Sequence, residues 1–383
     1  MINKWSRTRT ENASKRIFGE LTRFKSRLKK HSDLFLGYPC NIGADYKPLF
    51  DVFEFYTHLN NIGDPFVESK YRLNSREFER HVLQFFADLY KIRDYWGYVT
   101  TGGTEGNMYG LFVGRELYPD GILYFSEESH YSISKIARVL RMKHVMIRSL
   151  ETGEIDYQDF EEMIKVNRKD PIIVNLNIGT TMKGAIDNLE TILEIIEKNG
   201  ISNYYIHCDA ALFGMMTPFI ESAPEISFAK SIDSIAISGH KFIGSPIPCG
   251  VVLTRKGFVR RIERKIEYIG TLDTTITGSR NGHSPLILWY AIMTKGYNGF
   301  KKEVHSCVQN AKYLFNELKK MNYPCKLNEF SNIVYFKKPP DPLISKWQLP
   351  TQGDWAHIVV MQHVTKPKIK SFVEDLKNYE EKT

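Results

Sequence analysis

Four kinds of side chain that could do chemistry follow short apolar runs in the middle of the chain. Lys241 comes just after Ile235–Ile237 in "AISGHKFIGSP", and Asp209 comes directly after "YYIHC". His130 follows "GILYF", and a segment rich in glycine and threonine, Thr100–Asn107, follows "GYV". A lysine or an aspartate at the end of a buried strand is costly unless a partner takes up its charge. These residues are therefore candidates for one common site.

Each of these signals also has an ordinary structural explanation. The glycine segment could be a plain turn capped by Thr104, Asp209 could cap a helix or form an ion pair, and Lys241 could lie at the surface. The segment matches neither G-x-G-x-x-G nor G-x-x-x-x-G-K-[ST], so a nucleotide held in those ways is not indicated. Together the four features fit pyridoxal phosphate, which needs a phosphate cradle, a stacking ring, a carboxylate at its ring nitrogen and a lysine for its aldehyde. Lys241 could then lie deep, because its amine would form a Schiff base.

Alternating strands and helices must position these residues. Strands are predicted at "GYVTTGG", "GILYF", "HVMIRSL", "PIIVNLNIG", "YYIHCDAA" and "DSIAIS". Helical patterns separate them, as in "IDNLETILEIIEKNG", where Leu189, Ile192, Leu193 and Ile196 share one face. The strands are continuous apolar runs, which is typical of a mostly parallel sheet covered on both faces. The sequence therefore predicts an α/β fold whose chemistry lies at the carboxyl ends of the strands.

Three segments are predicted along the 383 residues. Residues 60–300 would form a large cofactor-binding domain, and residues 301–383, with a long helical pattern and short strands, would form a small α+β domain. Residues 1–59 would be a basic N-terminal arm and a dimer-contact segment. Residues 1–30 hold ten Lys and Arg against two Asp and Glu, and we expect this part to be a solvated arm.

Composition limits the classes of protein that need to be considered. The apolar share is 42%, the charged share is 25% and the net charge is +8, which is ordinary for a globular protein. The basic excess lies mostly in the arm, so we expect neither a nucleic-acid nor a membrane partner. No run of 18 apolar residues and no secretory signal is present, although an organelle address at residues 1–16 stays open. The five cysteines are widely spaced and form no C-x-x-C, which indicates reduced thiols and a cytoplasmic protein: Cys40, Cys208, Cys249, Cys307 and Cys325.

Longer strings in the chain resemble a known family. "GGTEGN", "SHYSISK", "NIGTT", "HCDAALFG", "SGHKFIGSPIPCG" and "TGSRNGH" are similar to the group II pyridoxal-phosphate amino-acid decarboxylases, in particular the branch of bacterial histidine decarboxylases and plant serine decarboxylases. The resemblance covers roughly residues 35–375. "NNIGDPFVESKY" and "HCDAALFG" favour the plant serine form, although that form usually has a glycine where this chain has Ala210.

The resemblance implies a fold and a reaction. The fold would be fold type I, with a mostly parallel, seven-stranded-type sheet in the large domain and a small C-terminal α+β domain. The reaction would release CO2 from L-histidine, giving histamine, or from L-serine, giving ethanolamine. The smallest active unit would be a homodimer or a higher homo-oligomer, and no metal is expected.

The resemblance also implies roles for individual residues. Lys241 would carry the cofactor, Asp209 would pair with its ring nitrogen, and His130 would stack on the ring and touch the substrate. Tyr268 in "IEYIGTLDTTITG" would donate the proton to Cα, its alternative being a packed aromatic residue before a loop. The remaining cofactor contacts would be Gly103, Thr104, His240 and Ser238 at the phosphate, Ala211 at the second face of the ring, and Thr180 at the ring oxygen.

Two other classes of protein share part of this pattern. An aminotransferase or another fold-type-I enzyme would also have Lys241 and Asp209, but it would usually hold the substrate carboxylate with an arginine of the C-terminal domain. Residues 300–383 contain no arginine. A non-catalytic descendant of the fold would be expected to lose the lysine or the aspartate, and both are present.

Overall fold

A computed structural model describes residues 11–54 and 56–380 of the chain. The first ten residues of the predicted basic arm lie outside the described residues, as do the last three residues of the predicted small domain. The helices are α1 Glu11–Asp33, α2 Lys47–Val52, α3 Arg76–Leu89, α4 Gly103–Leu117, α5 Ser132–Val139, α6 Tyr157–Val166, α7 Leu189–Lys198, α8 Lys256–Val259, α9 His283–Lys320, α10 Asp341–Trp347 and α11 Lys366–Glu380.

A seven-stranded sheet forms the centre of the fold. Its strands are β1 Tyr95–Thr100, β2 Ile122–Ser126, β3 Lys143–Ile147, β4 Ile172–Asn177, β5 Tyr204–Asp209, β6 Ser234–Ser238 and β7 Gly250–Arg255. They lie in the order β1-β7-β6-β5-β4-β2-β3, and β7 alone runs antiparallel to its neighbours. The prediction of a mostly parallel, seven-stranded sheet is therefore confirmed. Asn177 pairs with Asp209, and Asp209 pairs with Ala236, so the carboxyl ends of β4, β5 and β6 lie side by side.

Helix α4 packs directly on this sheet because glycines recur at every fourth residue. A Cβ on Gly106 would lie 2.9 Å from the Cβ of Ala236, and a Cβ on Gly110 would lie 2.2 Å from Nδ1 of His207. At Gly114 it would lie 2.8 Å from the ring of Tyr205. Residues four apart share one face of a helix, so the stripe of glycines brings the α4 backbone close to β5 and β6.

The C-terminal part of the chain forms a second, smaller sheet. The remaining strands are β8 Arg264–Ile266, β9 Thr271–Asp273, β10 Cys325–Leu327, β11 Ile333–Lys337, β12 Thr351–Gln352 and β13 Trp355–Val359. Strands β10 to β13 pair antiparallel, and β8 and β9 form a separate hairpin. Helix α9 kinks at Gly296, whose φ is 57°. The predicted boundary at residue 300 falls inside α9, just after this kink, and stays a prediction.

The basic segment near the N-terminus is a helix whose described side chains are mostly exposed, and the predicted role of residues 1–59 stays a prediction. Residues 11–33 form the helix α1, in which Arg16 and Glu20 pair one turn apart. Good helix formers and apolar residues at helical spacing explain why the segment is ordered as a helix. No helix in the described part of the chain is long and apolar enough to cross a membrane.

Candidate active site

One cavity of about 390 Å³ lies at the carboxyl ends of the central strands. It is lined by all nine residues for which a cofactor contact was predicted: Gly103, Thr104, His130, Thr180, Asp209, Ala211, Ser238, His240 and Lys241. The loops that carry these residues follow β1, β2, β4, β5 and β6. The sheet therefore brings together residues that are up to 138 positions apart in the chain, from Gly103 to Lys241.

Lys241 lies in a π-helical turn, Gly239–Ile243, directly after β6. Its backbone carbonyl accepts a hydrogen bond from the amide of Asn41 at 3.0 Å, so the N-terminal segment holds this turn in place. Burial lowers the pKa of Lys241, and the nearby Asp209 carboxylate and Cys40 thiol offset this only in part. A lowered pKa favours the neutral amine, which is the form that attacks an aldehyde.

Asp209 is only 8% exposed, and it lies at the last position of β5. Its Oδ2 accepts a hydrogen bond from Nδ2 of Asn107 at 2.7 Å, and its Oδ1 accepts one from the amide of Ala211 at 3.2 Å. Both donors are uncharged amides. The carboxylate can therefore still take up the positive charge of a protonated ring nitrogen.

The start of α4 forms the end of the cavity that suits a phosphate. No side chain caps the first turn of this helix, so its backbone amides are available to an anion. A Cβ on Gly103 would lie 2.7 Å from the hydroxyl oxygen of Ser238 and 3.6 Å from the Cβ of Ala211, so a larger residue would fill the cradle. His240 borders the same loop, and its Nδ1 contacts the carbonyl of Cys249 at 2.9 Å.

His130 and Thr180 are held by local hydrogen bonds. The amide of Ser132 donates to Nδ1 of His130 at 3.3 Å, which places the proton of a neutral ring on Nε2. Burial is the main cause of a lowered pKa at His130, so the ring is mostly neutral at pH 7. The Thr180 hydroxyl oxygen accepts from the amide of Ala185 at 3.0 Å and keeps its own proton available as a donor.

Tyr268 lies away from the cavity. It occupies the turn between β8 and β9, its side chain is 80% exposed, and it is not among the residues that line the cavity. Thr271 and Leu272, which follow this turn, pack against Gly63. Within one chain Tyr268 is therefore not placed to donate a proton into the cavity, and its predicted role stays a prediction.

Several cavity residues were not predicted from the sequence. Asn107 lies in the quoted string "GGTEGN", and its spacing of three from Thr104 would have placed both on one face of a helix. Glu105 accepts hydrogen bonds from the amide and the hydroxyl of Thr101, at 2.7 and 2.6 Å, and so holds the loop before α4. His357 of the small sheet contacts the carbonyl oxygens of Met182 and Gly37, each at 3.0 Å. No motif in the sequence around His357 indicates that it lines the cavity.

The residues present fit pyridoxal phosphate. An uncapped helix start with a glycine cradle suits the phosphate, a buried carboxylate with neutral donors suits a protonated ring nitrogen, and a lysine of lowered pKa suits the aldehyde. These features and the sheet topology define a fold-type-I pyridoxal-phosphate enzyme.

Comparisons with known proteins identify the family. The family model described as the pyridoxal-dependent decarboxylase conserved domain matches residues 94–334, and the chain belongs to this family. Serine decarboxylase 2 of Oryza sativa subsp. japonica is 50% identical over 353 residues, covering 91% of this chain and 75% of the rice protein. Histidine decarboxylase of Solanum lycopersicum is 45% identical over 363 residues, covering 93% and 87%.

A solved structure agrees with this assignment. L-methionine decarboxylase from Streptomyces sp. 590, in its internal aldimine form, has a TM-score of 0.85 and 25% sequence identity, covering 95% of each chain. The predicted cofactor and the predicted class, a pyridoxal-phosphate-dependent carboxy-lyase acting on an amino acid, are confirmed.

Proposed function

We propose that this decarboxylase acts on L-serine and releases ethanolamine and CO2. The observation that carries the choice is the part of the cavity wall outside the strand ends of the large sheet: Gly37, Tyr38, Pro39, Ile333, Pro350, His357 and Val359. Most of these side chains are apolar, and both ring nitrogens of His357 already contact backbone carbonyls. A hydroxymethyl group needs fewer polar partners than an imidazole, whose two nitrogens would otherwise be buried unpaired.

L-histidine, giving histamine, is the second candidate. The observation that favours it is the similarity to named histidine decarboxylases, among them the tomato protein at 45% identity and one from Acinetobacter baumannii at 44% over 352 residues. The difference from the rice serine decarboxylases, at 47–50% identity, is small.

Competition between the two amino acids tests the substrate. We expect serine to be preferred over histidine by roughly 10²-fold or more in kcat/KM, because each imidazole nitrogen that is buried without a hydrogen-bond partner costs about 1–3 kcal/mol. The amines formed from an equimolar mixture would be measured by mass spectrometry. A preference for histidine would select the second candidate. Comparable turnover of both would contradict a dedicated pocket, and a preference for an aromatic or acidic amino acid would reject both.

The proposed roles follow from where each side chain lies. When bound, pyridoxal phosphate supplies an electron-accepting ring that takes up the electron pair left behind as CO2 departs. Lys241 would hold the cofactor through Nζ, and Asp209 would keep the ring nitrogen protonated. His130, with its proton on Nε2, would orient the substrate, and the start of α4 with Ser238 and His240 would hold the phosphate. Thr180 would donate to the ring oxygen, and Ala211 would pack against the ring.

A homodimer is the proposed active unit. Its support is an apolar stripe along α1, formed by Ile17, Leu21, Phe24 and Leu28. These side chains are 47–56% exposed, and the rest of the described part of the chain does not cover them. A second copy of the chain would cover this stripe. Tyr268 would then have to act on the cavity of the other subunit if it is the proton donor to Cα. The five free cysteines, four of them buried, support a reducing, cytoplasmic setting.

The oligomeric state can be tested at the stripe itself. The double variant Leu21→Glu and Phe24→Glu is expected to weaken the dimer about 100-fold or more, because each buried apolar side chain contributes roughly 1.5–3 kcal/mol. Sedimentation at assay concentration would measure it. Ser26→Glu, on the opposite face of α1, is the matched control and should leave the dimer unchanged. An unaltered dimer in the double variant, or an active wild-type monomer, would contradict the proposal.

A further inference from the structure

A chain of buried hydrogen bonds leads from Asp209 into the core behind the cavity. Nδ2 of Asn107 donates to Oδ2 of Asp209 at 2.7 Å, and Oδ1 of Asn107 lies 3.1 Å from Nε2 of His207. Nδ1 of His207 lies 2.7 Å from the hydroxyl of Ser234. Asn107 is 2% exposed, and His207 and Ser234 are fully buried.

We infer that Asn107 and His207 are positioning residues that hold the Asp209 carboxylate oriented toward the ring nitrogen of the cofactor. The inference rests on the proposed role of Asp209. Neither residue was assigned a role from the sequence, and His207 does not line the cavity.

The chemistry of the groups decides where each proton lies along the chain. A carboxylate can only accept, so Asn107 must turn its NH2 group toward Asp209 and its oxygen toward His207. An amide oxygen can only accept as well, so Nε2 of His207 must carry a proton. Burial lowers the pKa of His207 to about 3, so the ring is neutral and has no second proton. Nδ1 therefore accepts from the Ser234 hydroxyl.

Packing around His207 holds this series of hydrogen bonds in a single arrangement. The ring of His207 occupies the space that a side chain at position 110 would fill, since a Cβ on Gly110 would lie 2.2 Å from Nδ1 and 2.4 Å from Cε1 of His207. Asn107 and the proposed phosphate cradle belong to the same helix, α4. One rigid element therefore sets the distance from the cradle to Asn107, whose amide in turn holds Oδ2 of Asp209. This arrangement suits a ligand with an anion at one end and a ring nitrogen at the other.

The side chains behind Asp209 are uncharged, so none of them neutralises its carboxylate. A lysine or arginine in their place would neutralise the carboxylate and compete with a protonated ring nitrogen. Asn107 instead offers a donor without a net charge, and the neutral His207 and Ser234 fix its orientation. Asn107 therefore fixes the orientation of Oδ2 without adding a positive charge beside the carboxylate.

The test compares the binding of two cofactors by the cofactor-depleted, full-length protein. Equilibrium dialysis would give the Kd of pyridoxal phosphate and of 1-deazapyridoxal phosphate, in which a C–H replaces the ring nitrogen. We expect the wild type to prefer pyridoxal phosphate by about 10- to 100-fold, the contribution of a hydrogen bond to a charged group. Asn107→Leu and His207→Met should each lower this preference by about 5- to 10-fold, because each removes both hydrogen bonds that the replaced side chain makes.

Matched variants separate positioning from general damage. His207→Gln keeps an N–H donor for Asn107 and should retain the preference, and Thr217→Val, which removes a buried hydroxyl that donates to the Phe213 carbonyl, should retain it too. If Asn107→Leu does not fold, the comparison of His207→Met with His207→Gln tests the inference.

Asp209→Asn distinguishes the two possible failures. If this variant keeps the preference, the proposed role of Asp209 is wrong. If it loses the preference while Asn107→Leu and His207→Met keep it, the positioning inference is overturned and the role of Asp209 stands.

Discussion

Replacing Lys241 with alanine is expected to lower turnover by roughly 10³-fold or more, as removal of a covalent catalytic group does in other enzymes. Borohydride should also no longer fix pyridoxal phosphate to the chain. The reason is the position of Nζ: Lys241 lines the cavity with Asp209 and the start of α4, and burial lowers its pKa. Among the residues that the structure describes, no other lysine lines this cavity.

Peptide mapping after borohydride reduction makes the test direct. In the wild type the reduced cofactor should be found on Lys241 alone. Lys230→Ala is the matched control, because Lys230 is an exposed lysine that pairs with Glu190 at the surface, and this variant should keep full turnover. Cofactor attached to another lysine, or wild-type turnover in Lys241→Ala, would remove Lys241 from its proposed role.

Asp209→Asn is expected to keep the fold and to lose about 10²- to 10³-fold in kcat, the usual effect of removing a group that stabilises developing charge. The amide cannot take up the positive charge of a protonated ring nitrogen. If the new oxygen accepts from the NH2 group of Asn107, as Oδ2 does now at 2.7 Å, the new NH2 group takes the place of Oδ1. It would then face the amide of Ala211, which is also a donor. Steady-state kinetics at saturating cofactor would measure the loss.

A surface substitution of the same type serves as the control for Asp209→Asn. Asp120 is exposed, in the turn before β2, so Asp120→Asn should leave both turnover and melting temperature unchanged. A circular dichroism spectrum like that of the wild type would show that Asp209→Asn still folds. Wild-type kcat in that folded variant would contradict the proposed role of Asp209.

Local patterns in the sequence were enough to place several of the residues that line the cavity. Lys241, Asp209 and His130 each come just after a continuous apolar run, and such runs form parallel strands whose carboxyl ends meet at one edge of the sheet. Gly103 and Thr104 mark the start of a helix in the same way. Chain direction and strand burial therefore determined that these residues would lie together, before any contact between them was known.

Other features depended on how distant segments pack. Residues 11–33 form a mostly exposed helix that carries an apolar stripe, and the expectation of a solvated arm did not specify that helix. Tyr268 was predicted as the proton donor, but the hairpin of β8 and β9 holds it outside the cavity of its own chain. Which subunit a side chain serves depends on assembly, and the pattern of residues around Tyr268 does not encode it.

The sequence by itself determined the class of fold and the cofactor, because strand burial and residue chemistry are local properties and because long strings in the chain resemble the family. The nine predicted cofactor contacts line one cavity, and their individual roles stay predictions. Only the tertiary structure decided that Asn107 and His207 stand behind Asp209 and that His357 closes the wall. Those contacts join α4 to β5, and β13 to the N-terminal segment. They depend on the close approach that Gly110 permits and on hydrogen bonds between residues 100 or more positions apart, which no local periodicity records.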